Sequence, residues 1–161
     1  MSIQIGDRIP EVNVNIVREG KTETAPVSSL FKNRKVVLFA VPGAFTPTCS
    51  LKHLPSYIDS AAEFARRGVD LVCLSVNDAF VMQAWAAAEK APPGIVMLAD
   101  GNAAFTKALG LELDATGFGM GLRAQRFALY AEDGVIKVLK VEAPGEFKIS
   151  GAETMLAALA G

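Results

Sequence analysis

The sequence is poor in metal-binding side chains: 161 residues hold one histidine, His53, and two cysteines, Cys49 and Cys73. A lone histidine and two well-separated cysteines leave no zinc site. Nothing implies a haem or a nucleotide either, so no cofactor is expected. An excess of charge is also missing, with 16 basic residues against 17 acidic ones and a net charge of -1. That balance excludes an electrostatic grip on nucleic acid or on an anionic membrane. No apolar run is long enough to span a bilayer. The opening MSIQIGDRIP lacks the charged-then-apolar pattern of a secretion signal. The expectation is a soluble cytoplasmic protein with reduced thiols, in which an even cysteine count says nothing about pairing. Repeats, low-complexity tracts and linkers are absent too. With 51% hydrophobic residues, a chain of this length suits one domain over 1–161, with a core that needs no disulfide.

What is present is an ordered series of elements. Residues 12–18, VNVNIVR, alternate apolar and polar and predict an extended edge segment. KVVLFAV (35–41) is a continuous apolar run of strand formers, as in a strand buried on both faces. Residues 49–66 carry a helical pattern closed by Arg66, Arg67 and Gly68. VDLVCLSV (69–76) predicts a second buried strand, and Asn77 or Asp78 can cap the helix that follows. Pro92, Pro93 and Gly94 stop that helix before IVMLA (95–99), a third strand. A short helix over 102–109 comes next. RAQRFALYA and GVIKVLKVEA flank a hairpin turn at Glu132-Asp133-Gly134, and SGAETMLAALA predicts a last helix with Ser150 as cap. Alternating strands and helices imply parallel pairing, and the late hairpin adds antiparallel strands. The fold class is α/β, a central mixed sheet flanked by helices, with an N-terminal β extension.

The segment VPGAFTPTCS (41–50) joins the first buried strand to its helix. Thr46 suits the N-cap and Pro47 the first helical position. Cys49 is then the third helical residue, at the carboxyl end of a buried strand, where open α/β sheets put their sites. A thiol there lies in the positive field of a helix terminus, which favours the thiolate. Free cysteine is commonly just a small buried hydrophobe, but this turn and cap favour a nucleophile. Pro55 should kink the helix.

Pro42, Thr46 and Cys49 fit, residue for residue, the Pro-x3-Thr-x2-Cys pattern of the peroxiredoxins, and the surrounding wording resembles their type II, peroxiredoxin-5-like, subfamily. LSVNDAFVMQAW (74–85) and VEAPGEFKIS (141–150) resemble it as well, so the similarity covers nearly the whole chain. The resemblance implies a thioredoxin-like fold and a thiol peroxidase acting on hydrogen peroxide and alkyl hydroperoxides. Cys49 would attack the peroxide and become a sulfenic acid, Thr46 would orient the substrate, and Pro42 would shield the thiol. Thioredoxins carry two cysteines three apart at this junction. Here Thr46 replaces the first, so dithiol exchange at this one site is impossible. Family members without a C-terminal cysteine rely on glutathione and glutaredoxin, or on thioredoxin, and 141–161 contain none. Relatives commonly form homodimers through loops near the cysteine.

A charged, forked donor should steady the leaving oxygen. Arg123 and Arg126 lie three apart on a predicted strand, hence on opposite faces. Arg126-Phe127-Ala128 resembles the family's site arginine, whereas Arg123 reads as a solvated strand residue. His53 follows Cys49 by four residues and raises the thought of a thiol hydrolase. No Asn or Asp is placed to orient its ring, so it reads as a local structural residue that touches the pocket. Gly43, Phe45 and Phe80 are further candidates for the pocket or a subunit contact. The other phenylalanines, Trp85 and the methionines read as core, and Cys73 as a buried, inert thiol. The rival reading is a peroxide-sensing switch or interaction protein of the same fold.

Overall fold

The computed structural model describes residues 2–160. In chain order the elements are β1 (Asn13–Arg18), β2 (Lys21–Pro26), α1 (Ser28–Phe31), β3 (Lys35–Val41), α2 (Leu54–Arg66), β4 (Val69–Ser75), α3 (Ala79–Ala88), β5 (Ile95–Ala99), α4 (Ala104–Leu109), β6 (Glu112–Asp114), β7 (Leu122–Ala124), β8 (Phe127–Glu132), β9 (Val135–Val141) and α5 (Ala152–Ala160). A seven-stranded sheet has the order β2-β1-β5-β4-β3-β8-β9, and β6 and β7 form a separate ribbon. β3, β4 and β5 run parallel. β1 and β8 flank them antiparallel, so the sheet is mixed and the fold thioredoxin-like.

The apolar run of β3 lies at the centre because both its faces are covered. Val36, Leu38 and Ala40 join one core with Phe105 and Leu109 of α4. Val37, Phe39 and Val41 join the other with Tyr57 and Phe64 of α2, Trp85 of α3 and Met155 of α5. This alternation is the two-residue period of a strand with helices on both sides. Cys49 and Cys73 both belong to the second core.

Three expectations need correction. β1 is not the edge: β2 pairs with it along its whole length and takes that place. The segment KTETAP is almost entirely exposed, so it carries no apolar alternation, and its proline is tolerated because it lies on the edge. The run 123–131 is not one strand either. It breaks at Gln125 and Arg126, where the Gln125 N–H turns aside to the Leu111 carbonyl at 2.8 Å. Ser150 does not cap α5 with its hydroxyl, which goes to Glu142 at 2.6 Å. Ser56 of α2 instead accepts the Ala152 N–H at 3.3 Å. At the start of α3, Asp78 supplies the cap, accepting the Val81 N–H at 2.9 Å.

Candidate active site

β3 ends at Val41, and the chain turns through Pro42–Phe45. Phe45 has φ 65°, the left-handed region that side chains seldom adopt, at a cost on the order of 1–3 kcal/mol. Its surroundings hold it there. The Ala44 N–H donates to Asn77 Oδ1 at 3.0 Å, and the Ser75 hydroxyl donates to the same oxygen at 2.5 Å. The end of β4 thus grips the turn after β3. Thr46 does not cap the helix with its hydroxyl; it donates that proton to the Gly43 carbonyl at 2.7 Å. The Thr46 oxygen keeps its lone pairs for an incoming O–H.

Pro47 opens the helix, which passes at once into a π turn over Cys49–His53. There the Leu54 N–H reaches back to the Cys49 carbonyl. Pro55 lacks an N–H, and the disturbance expected from it takes the form of this wide turn. Trp85 is wholly buried and pins the turn by donating its indole N–H to Ser50 Oγ at 2.9 Å.

Cys49 has no exposed surface. Arg126 reaches it from the break between β7 and β8, with Nη2 donating to Sγ at 3.1 Å. The other terminal nitrogen, Nη1, donates to His53 Nδ1 at 2.8 Å. A guanidinium has no acceptor, so Nδ1 must be the unprotonated nitrogen and Nε2 carries the hydrogen. Nε2 accordingly donates to the Ser150 carbonyl at 3.0 Å. Burial, and then the Arg126 charge, lower the His53 pKa to about 3. The imidazole is therefore neutral, with both nitrogens engaged away from the thiol, an arrangement that does not serve a Cys–His hydrolase. Phe147 packs against both partners, 4.9 Å from the His53 ring and 5.9 Å from the Arg126 guanidinium.

The break before β8 also corrects Arg123. It is half-buried, and its Nε donates to the Met120 carbonyl at 2.9 Å. A side chain at Gly43 would meet Arg123 Nη1 at 2.9 Å and Thr46 Cγ2 at 3.1 Å. Glycine allows this close approach, and a side chain there would push on both the Arg123 guanidinium and the Thr46 methyl. Cys73 lies within β4, opposite Phe39 on one side and Met97 on the other, with no exposed surface. Burial, and then the neighbouring Cys49, push its thiol well above the usual range.

A cleft of about 730 Å³ opens beside the site, walled by Pro42, Thr48, Phe118, Met120, Arg126 and Glu142 among others. Of the four further pocket candidates, none forms this wall. His53 and Gly43 are buried beneath it, whereas Phe45 and Phe80 face outward, 56% and 84% exposed. Phe118 is not core but 86% exposed. Phe147, read from the sequence as core, is half-buried against His53 and Arg126 instead, and the sequence assigns no role to Glu142 or the Ser150 carbonyl. Their one signal was the segment VEAPGEFKIS, whose family-like wording has no local period to interpret.

Residues 4–156 match the Redoxin family. The chain is 47% identical over 163 residues to the chloroplastic peroxiredoxin-2E of Arabidopsis thaliana, covering 98% of this chain and 70% of that protein. It is 45% identical over 159 residues to peroxiredoxin-2B of the same plant, covering 98% of each. The crystal structure of reduced Prx3 from Vibrio vulnificus in complex with hydrogen peroxide superposes with a TM-score of 0.92 at 52% identity, covering 98% of this chain and 99% of that one. Matched along almost all its length, and sharing that fold, the chain belongs to the Redoxin family and within it to the type II peroxiredoxins, which makes it a thiol-dependent peroxidase.

Proposed function

We propose that Cys49 is the peroxidatic thiol and that glutathione, followed by glutaredoxin, restores it. The observation that carries the first half is the Arg126 Nη2–Cys49 Sγ contact of 3.1 Å. A sulfur held against a forked, positively charged donor is suited to displacement at an O–O bond. The thiolate attacks the peroxide oxygen that bears hydrogen. The O–O bond breaks, and its electron pair leaves with the other oxygen, which takes a proton to become water or an alcohol. Sulfur is oxidised to the sulfenic acid as the peroxide is reduced. Thr46, its own proton engaged by Gly43, accepts the peroxide O–H. Arg126 has further N–H groups for the departing oxygen, and Pro42 shields the thiol from solvent.

The second half rests on the other thiol. Cys73 sits within a buried strand, and no cysteine follows it. Bridging the two cysteines requires Cα atoms within roughly 7 Å and suitably directed side chains, while the cores on both faces of the sheet resist rearrangement. An external thiol is the simpler route. A small tripeptide thiol condenses with the sulfenic acid, releasing water and leaving a mixed disulfide, which glutaredoxin removes by thiol exchange. A cytoplasmic setting completes the proposal, since the cycle needs a steady supply of reduced small thiol; cell fractionation checks it.

Assembly as a homodimer is part of the same reading. Phe45, Phe80 and Phe118 are exposed, and all three lie in the peroxidatic turn, just beyond Asn77 that grips it, or on the cleft wall. Large apolar side chains exposed around the site in this way suit a partner surface. Light scattering at micromolar concentration should give twice the chain mass, and a clean monomer contradicts it.

A steady-state peroxide assay with glutathione plus glutaredoxin, or with thioredoxin and its reductase, tests the cycle. Sustained turnover with the glutathione pair, and an adduct of glutathione on Cys49 by mass spectrometry, are expected. Turnover with thioredoxin alone contradicts the choice of reductant. Consumption of a single equivalent with every reductant favours a peroxide sensor.

A further inference from the structure

Glu142 is a carboxylate that the reaction itself does not use, yet it is almost wholly buried, 6% exposed, on the wall of the cleft. Four donors converge on it. Its Oε2 accepts the N–H of Lys148 at 2.9 Å, of Ile149 at 2.8 Å and of Ser150 at 2.7 Å, and the Ser150 hydroxyl at 2.6 Å. Its Oε1 shares the Lys148 N–H at 2.9 Å. Burial alone would raise its pKa, but the Ser150 hydroxyl and these amides outweigh burial and lower it. The carboxylate therefore fixes a stretch of backbone that has no regular structure of its own. At the end of that stretch the Ser150 carbonyl takes two hydrogen bonds, from His53 Nε2 at 3.0 Å and from the Tyr57 hydroxyl at 2.7 Å.

The chain of contacts closes on itself. The Glu142 backbone N–H donates to the Arg126 carbonyl at 3.0 Å, and the Glu142 side chain holds Ser150. Ser150 holds His53, and His53 accepts Arg126 Nη1 at 2.8 Å. Glu142 thus grips Arg126 from behind through its main chain and from the side through the ring. Within this ring each member holds the next, so a shift at Ser150 passes to the two donors on its carbonyl, the Tyr57 hydroxyl and the His53 ring, and through His53 to the guanidinium. The His53 ring has little room to absorb it: His53 and Ser150 have no exposed surface, and Phe147 packs against the ring and the guanidinium.

We propose that Glu142 is a positioning residue for the peroxidase reaction: by fixing the Ser150 carbonyl it sets, through His53, the angle at which Arg126 faces the Cys49 sulfur. This rests on the reading of Arg126 as the group that steadies the departing oxygen. In this role the carboxylate contributes through geometry, and its negative charge acts by holding the amides.

The test is a double-mutant cycle on the second-order rate constant for Cys49 oxidation, measured in a single turnover. Glu142→Ala should lower that constant about tenfold, the size expected of coupling carried through a packed network. Glu142→Gln can put its carbonyl oxygen where Oε2 lies and should recover most of the loss. In an Arg126→Met background the Glu142→Ala change should have little further effect, because its route to the thiol is already cut. The loss should be the same factor for hydrogen peroxide and for a bulky alkyl hydroperoxide, since Arg126 acts on the O–O centre common to both. Should Glu142→Ala fail to fold by circular dichroism, Glu142→Asp, which pulls the carboxylate back by one methylene, carries the same cycle. A wild-type rate in folded Glu142→Ala overturns the proposal. So do an equal loss in Glu142→Gln, an additive loss in the Arg126→Met background, or unequal factors for the two peroxides. A wild-type rate in Arg126→Met alone overturns the reading of Arg126 beneath it.

Discussion

Arg126 and Cys49 lie 77 residues apart in the sequence and are joined by a hydrogen bond of 3.1 Å between Nη2 and Sγ. The arginine can reach the sulfur because the chain leaves its strand pairing just before it, and because His53 holds its other terminal nitrogen. Arg126→Lys should therefore lower the rate constant for peroxide by roughly 100-fold or more, as when a fixed donor to a developing charge is lost. A lysine has one nitrogen on a flexible stem and cannot reproduce the two fixed nitrogens that hold His53 and Cys49. Stopped-flow oxidation of the variant, at unchanged melting temperature, checks this. A loss under threefold contradicts it.

His53 gives a prediction about pH. Its folded pKa is lowered to about 3, against roughly 6.5 in the unfolded chain. Between these values the unfolded state binds the proton and the folded state does not, so stability is lost as pH falls from about 6.5 toward 3. Glu142, also lowered, loses its contribution in the same direction as pH falls. His53→Gln separates the two. Glutamine can accept from Arg126 and donate to the Ser150 carbonyl, so most activity should remain. Denaturant melts across pH should show a shallower acid loss in the variant, and an unchanged slope contradicts the assignment.

The turn before the thiol should be intolerant of one methyl group. Gly43→Ala places a carbon 2.9 Å from Arg123 Nη1 and 3.1 Å from Thr46 Cγ2. Displacement of Thr46 should lower peroxide reactivity about tenfold, since misplacement of about 1 Å can cost as much as 100-fold. Arg123→Ala in the same chain relieves the nearer contact and should restore part of the rate. Kinetics of the single and double variants decide this, and no recovery contradicts the contact.

Cys73 should be silent. Both thiols are buried, but Cys49 lies against Arg126 of the cleft wall, whereas Cys73 lies within β4 with its thiol pushed well up, so iodoacetamide under native conditions should modify Cys49 and leave Cys73 untouched. Cys73→Ala should keep turnover with glutathione and glutaredoxin. A Cys49–Cys73 disulfide within one chain, together with an inactive Cys73→Ala, contradicts the one-cysteine cycle.

Much of this arrangement is readable from local pattern. The apolar run 35–41, the turn at Pro42, the helix start at Pro47 and the hairpin at Asp133-Gly134 all follow from residue type and spacing, and the structure has each of them. Residues without such a pattern were not readable. β2 is polar and exposed, so nothing marks it as a strand. The break at Gln125 depends on the Leu111 carbonyl, fourteen residues earlier, and no neighbouring residue announces it. That break is why a strand register assigned Arg123 to solvent when it packs over Gly43. The link from Glu142 to Arg126 passes through Ser150 and His53 by way of a backbone carbonyl, whose identity is the same for every residue type.

If the Cys49 sulfur is the nucleophile that takes an oxygen atom from the peroxide, chemical trapping of the product locates it. Reduced protein is treated with one equivalent of hydrogen peroxide in the presence of dimedone, which captures sulfenic acid, and the peptides are mapped by mass spectrometry. The proposed role of Cys49 predicts a dimedone adduct on the peptide that contains Cys49 and none on the peptide that contains Cys73, with trapping abolished in Cys49→Ser. An adduct on Cys73, or peroxide consumption that persists in Cys49→Ser, contradicts it.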